Sequence, residues 1–196
     1  MKKMKGYVSL ILGIVFCVSV LVGYIPIPEY LIELTCFSNT FIGILLIFTG
    51  INFIVKGKSF SSFFYHMALV TISLVCIVSC VAHFNFKGAF FFLHLVNPVL
   101  FLLYYMFFIE DDKNFKKILY TPIPVIIYLA FDYIIGRIRG HFVYGIFDVN
   151  EMNPALMTFI VCGVYIIFIV FACITQLLNK KCSVIRKKLW DLKSSI

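Results

Sequence analysis

The feature that most restricts this chain is the run over 89–109, AFFFLHLVNPVLFLLYYMFFI, where one histidine, one asparagine and one proline interrupt otherwise apolar sequence. About 20 apolar residues, at about 1.5 Å of helix rise each, match the hydrocarbon core of a bilayer, so the run predicts a membrane-spanning helix. Further apolar runs cover 6–25, 31–55, 60–84, 121–138 and 154–178. The expected fold is therefore all-α, a polytopic membrane protein with a six-helix transmembrane domain over 1–179 and a basic amphipathic tail over 180–196. Composition agrees, since 62% of residues are hydrophobic and 13% charged, proportions that a soluble globular chain does not reach. The opening MKKMK has the charge of a secretory leader. However, the apolar run behind it is longer than a leader core and no A-x-A-like site follows, so it is expected to stay as the first helix.

Charge orients the spans. Of the 17 lysines and arginines, only Lys87, Arg137 and Arg139 fall in loops on one side, and all the others fall on the opposite side with both chain ends. The positive-inside rule then expects both termini in the cytoplasm of a cell-membrane protein. The net charge of +8 reflects this orientation and attraction to anionic lipid at the tail, and calls for no nucleic acid. Val184, Ile185, Leu189 and Leu192, with Trp190, suggest that the tail lies along the cytoplasmic leaflet. The seven cysteines form no C-x-x-C motif, so neither a disulfide framework nor a metal site is expected. No cofactor motif is present, and none is implied.

A titratable side chain at membrane depth costs several kcal/mol unless it faces protein or water, so His94 marks a candidate site, although it can also serve only to pack helices. Asn97 shares its face, and Pro98 cannot donate the backbone hydrogen bond that would end on His94, which predicts a kink there. In the second span Thr35, Ser38 and Asn39 share one face. Asp132 is buried in the fifth span, with Arg137 and Arg139 as candidate ion partners. Counting from the outer helix ends at about 1.5 Å per residue places Thr35, His94 and Asp132 roughly 3, 8 and 9 Å deep. The longest outer loop, with His141, Tyr144 and Asp148, lies on the same side. His83 is expected at the outer interface, and Thr121 and Asn153 are expected to cap the fifth and sixth helices, each followed by proline. The polar residues predict an outward-facing pocket. Thr35 supplies a hydroxyl nucleophile there, His94 the base, and Asp132 or Asn97 the group that orients it. Asn39, Ser38 or Tyr144 would be oxyanion donors.

At these residues the chain resembles the androgen-induced membrane protein family, and within it the six-span bacterial members. Three patches over roughly 33–149 carry the resemblance: LTCFSN at 34–39, HLVNPVLFLLYY at 94–105 and HFVYGIFDV at 141–149. In that family the first patch carries a threonine nucleophile, which falls on Thr35, and the second the catalytic histidine, which falls on His94. Tyr144, Phe147 and Asp148 match the third, although Gly145 stands where the family usually has proline. A related branch uses cysteine, and Cys36 adjoins Thr35, but neighbouring helical residues point about 100° apart, so only one of the two can face His94. The resemblance implies a hydrolase of fatty acyl esters with a lipid substrate. Two other readings compete: a small proton-coupled transporter, which needs polar residues continuing through the cytoplasmic half, and a non-catalytic membrane protein.

Overall fold

The computed structural model describes residues 2–81, 87–110, 114–143 and 152–194. These form α1 (Lys2–Tyr24), α2 (Leu34–Lys56), α3 (Ser62–Val81), α4 (Ala89–Phe108), α5 (Phe115–Ile118), α6 (Ile123–Arg139) and α7 (Pro154–Ser194). Among the described residues six helices are long and apolar enough to cross a membrane, the fifth of them running from Lys116 to Arg139 through the turn between α5 and α6. We call the end of the bundle where α1 finishes and α2 begins the upper end. The second span starts three residues later than its apolar run, because Pro28–Tyr30 forms a 3-10 turn and Glu33 becomes the residue before the helix. The run continued because Leu31 and Ile32 are apolar, but proline had already set the turn.

α1 and α2 form the closest pair. Gly6 and Gly13 on α1 and Gly43 and Gly50 on α2 recur every seven residues, two helical turns, and face one another antiparallel. A Cβ on Gly13 would stand 2.8 Å from the Gly43 carbonyl, and one on Gly50 2.8 Å from the Gly6 carbonyl. Only hydrogen fits there, as in the small-residue interfaces that let membrane helices approach.

α4 carries the main irregularity. Phe92–Val96 is a π-turn in which the Asn97 N–H reaches back to the Phe92 carbonyl. That bond takes the donor that would serve the Leu93 carbonyl in an α-helix. The π alternative, the N–H of residue 98, does not exist because residue 98 is proline. Leu93 is thus left with a buried acceptor that a side chain must satisfy.

The helix ends depart from expectation in two places. Thr121 does not cap α6: its hydroxyl donates to Ile118 O at 2.7 Å, and the helix begins after Pro122 with Pro124 in its first turn. Asn153 does cap α7, accepting the Leu156 N–H at 2.9 Å. α7 has no break at the expected boundary near 179, and Arg186, expected among the tail's surface charges, is 6% exposed. Arg186 donates to Ile109 O at 2.5 Å, Asn179 donates to Tyr105 O and Ile109 O, and Lys5 donates to Phe108 O. Tyr105 O also accepts the Ile109 N–H at 3.3 Å, and at Phe108 O and Ile109 O, where the helix ends, side chains supply donors.

Across the bundle, polar side chains fall into two buried layers. The upper one holds Ser19, Thr35, Ser38, Asn39, His94 and Asn97, and the lower one Ser9, Thr49, Tyr65, His66, Tyr104 and Thr175. Between them lies a packed waist of Phe16, Ile42, Leu46, Leu69, Ile72 and Phe101, with Phe16 and Phe101 edge to face at 6.3 Å. The lower layer draws on α1, α2, α3, α4 and α7. It ties helices together through Ser9–Tyr104 (2.7 Å), Thr49–Tyr65 (2.6 Å) and His66–Thr175 (3.0 Å).

Candidate functional site

Thr35 lies in the first turn of α2 and His94 in the middle of the π-turn of α4. The fold brings these residues, 59 positions apart, together at 3.4 Å between Thr35 Oγ1 and His94 Nε2. Both are buried, at 1% and 5% exposure. The separation is at the long end of a hydrogen bond, a spacing common for catalytic pairs without substrate. Phe90 packs on the His94 ring at 5.5 Å, and Tyr24 meets Phe90 edge to face at 5.6 Å. Tyr24 in turn donates to Glu33 Oε2 at 2.6 Å, two residues before Thr35. Burial pushes the Glu33 carboxyl up from its ordinary range, and the Tyr24 hydrogen bond only partly offsets this.

Beneath the pair runs a chain of amides. Asn39 Nδ2 donates to Thr35 O at 2.9 Å and to Leu93 O at 3.3 Å, which satisfies the carbonyl that the π-turn and Pro98 leave without a backbone donor. Asn97 Nδ2 donates to Asn39 Oδ1 and to Ser19 Oγ, both at 2.8 Å, and the Ser19 hydroxyl ends the chain on Phe16 O. The donors of both amides are thus engaged in joining α1, α2 and α4. In this arrangement Asn39 and Asn97 hold the scaffold in place, whereas the sequence offered Asn39 for an oxyanion and Asn97 to orient the histidine. Ser38 donates to Thr35 O at 3.3 Å, and among the described candidates its donor is the least tightly held.

Asp132 is not brought to this pair. Its Oδ1 accepts the Val143 N–H at 2.9 Å, fixing the turn after α6 that begins at Gly140, whose φ of 80° suits glycine. The α6 residues that face α2 are Tyr128 and Phe131, both packed on Phe37 at about 6.5 Å. Arg137 and Arg139 sit in the last turn of α6. Tyr144, Phe147, Asp148 and His83 lie outside the described residues.

Sequence reasoning missed four residues: Ser19, Tyr24 with its partner Glu33, and His66 were not singled out. His66 makes a second histidine–threonine contact, but its chemistry differs. The Thr175 hydroxyl also lies within hydrogen-bond reach of its own helix carbonyls Phe171 O and Ala172 O, acceptors that compete with His66 Nε2 for its proton. Among the described residues no group of three or more His, Cys, Asp or Glu side chains could hold a metal ion.

Beside α2 lies a cavity of about 540 Å³, walled by α2, α3 and α6 and reaching Ser38, one helical turn from Thr35. Comparison with family models, characterised proteins and solved structures gives no match to this chain.

Proposed function

We propose that the chain is a six-span cell-membrane protein with both termini cytoplasmic, and that its upper end carries a lipid-ester hydrolase site facing outward. The observation that carries the reading is the buried contact between Thr35 Oγ1 and His94 Nε2. In the proposed reaction His94 Nε2 takes the Thr35 proton as Oγ1 bonds to the acyl carbonyl carbon. The resulting oxyanion collapses, the ester C–O bond breaks, and the alcohol leaves with the proton from His94. Water then attacks the threonyl ester while giving a proton to His94, and the fatty acid and the free Thr35 hydroxyl are released.

This requires the His94 proton to reside on Nδ1 at the outset, leaving Nε2 to accept. Ser38 is the donor best placed to turn toward an oxyanion. The apolar waist also supports hydrolysis over proton-coupled transport, because Phe16, Ile42, Leu46 and Phe101 beneath the pair offer no titratable side chain to carry a proton onward.

Hydrolysis of a fluorogenic long-chain ester by the purified protein tests the reading. Activity lost in both Thr35→Ala and His94→Ala, with the variants still folded, supports it, and full activity in either contradicts it. Orientation is tested separately in a cysteine-free background. An impermeant maleimide should reach Glu29→Cys on intact cells and Lys58→Cys only after permeabilisation, and the reverse pattern would invert the topology.

A further inference from the structure

The cavity beside α2 has a composition that selects its occupant. Its wall is Leu34, Phe37, Ser38 and Phe41 of α2, Met67 and Thr71 of α3, and the face of α6 from Ile123 to Phe131. The polar side chains in this wall all donate to backbone carbonyls, most loosely at Ser38. The Thr71 hydroxyl donates to Met67 O at 2.9 Å, Tyr128 OH to Ile32 O at 3.2 Å, and Ser38 OH to Thr35 O at 3.3 Å. What remains is hydrocarbon on three sides, and a polar ligand would lose hydration there without finding partners. The volume of about 540 Å³ falls within the range of small-molecule sites.

The cavity is also elongated. From Ile123 to Phe131 α6 rises about 12 Å, so the groove follows the bundle axis from the lower part of α6 up to Ser38. Near that upper end Phe37, Tyr128 and Phe131 form a collar, their ring centroids about 6 Å apart.

We infer that this groove binds one acyl chain of a membrane lipid, its methyl end toward Ile123 and its carbonyl end toward Ser38. The placement of the carbonyl end rests on the ester-hydrolase reading, and the presence of a chain in the groove does not. Ile123 and Ile127 line the groove and are 40% and 64% exposed, so larger side chains there fill the groove without entering the packed interior.

The test is photolabelling of the whole protein in vesicles with a palmitoyl ester bearing a diazirine in mid-chain, with adducts mapped by peptide mass spectrometry. Adducts should concentrate on Phe41, Met67 and Ile127 and persist in Thr35→Ala. Excess unlabelled palmitoyl ester should compete them away. Ile127→Trp, or Ile123→Trp as a second variant, should lower their share severalfold. Adducts equally dense on the exposed Phe159 and Ile166 of α7, or unchanged by both tryptophans, would overturn the inference. Hydrolysis measured in parallel separates the two ideas: groove labelling with hydrolysis that survives Thr35→Ala removes the catalytic assignment alone, and hydrolysis without groove labelling removes the groove alone.

Discussion

The side-chain amide of Asn39 donates to the carbonyl of Leu93 at 3.3 Å, and through this bond α2 holds the turn of α4 that presents His94. The acceptor exists because two backbone donors are missing from it: Asn97 N–H is drawn to Phe92 O, and Pro98 has no N–H at all. Pro98, the π-turn and Asn39 therefore act as one device that sets the distance from His94 to Thr35.

Pro98→Ala restores the missing donor. The new N–H can close the turn onto His94 O or Leu93 O, so the helix should become regular and the protein more resistant to heat, in line with the cost of proline inside a helix of about 3 kcal/mol. His94 should then swing away from Thr35, and hydrolysis should fall by about 10²-fold, the scale expected when a catalytic group is displaced by an ångström. Asn39→Asp keeps the shape but sets an oxygen against two carbonyls. It should lose stability by about 1–3 kcal/mol together with activity. Thermal unfolding and ester hydrolysis, measured on both variants, separate the two effects.

Gly43 tests the α1–α2 seam. Any Cβ there would stand 2.6 Å from Cys17 Sγ and 3.3 Å from the Cys17 backbone nitrogen. Gly43→Leu should destabilise by about 1–3 kcal/mol or more, as overpacking does in a well-filled core. Gly163→Leu on α7, where a Cβ would meet nothing within 4 Å, should leave the unfolding temperature nearly unchanged.

Glu33 sets a pH dependence. Burial raises its carboxyl above the ordinary value of 4.5, so folding favours the protonated form. The stability it contributes is fully present below the unfolded pKa and is lost as pH rises through the raised folded value. Glu33→Gln can still accept from Tyr24 but does not ionise. Its unfolding temperature should match the parent protein's in acid and exceed it near neutrality. A parent protein that gains on the variant as pH rises would reverse the sign.

Much of the architecture was legible because bilayer-length apolar runs leave few alternatives, and Pro98 announced a disturbance beside His94. Thr35 and His94 were singled out from residue type, depth and resemblance, and the structure sets them 3.4 Å apart. The roles of Asn39 and Asn97 were not legible, since their partners are backbone carbonyls whose need arises only once the π-turn forms. Asp132 misled for a related reason: depth along a helix says nothing of azimuth, and its carboxylate turns to Val143 N while Phe131 beside it meets α2. Arg186 was hidden by its neighbours. In a tail whose other basic residues are all lysines, the one arginine reads as another surface cation, and only its bond to Ile109 O at the end of α4 distinguishes it.

The measurement that bears most directly on the central claim is site mapping after treatment of the purified protein with a fluorophosphonate. The account predicts a phosphonyl adduct on Thr35 that is absent in Thr35→Ala, absent in His94→Ala and restored in Thr35→Ser. An adduct on another residue, or labelling indifferent to His94→Ala, would contradict an activated threonine at this site.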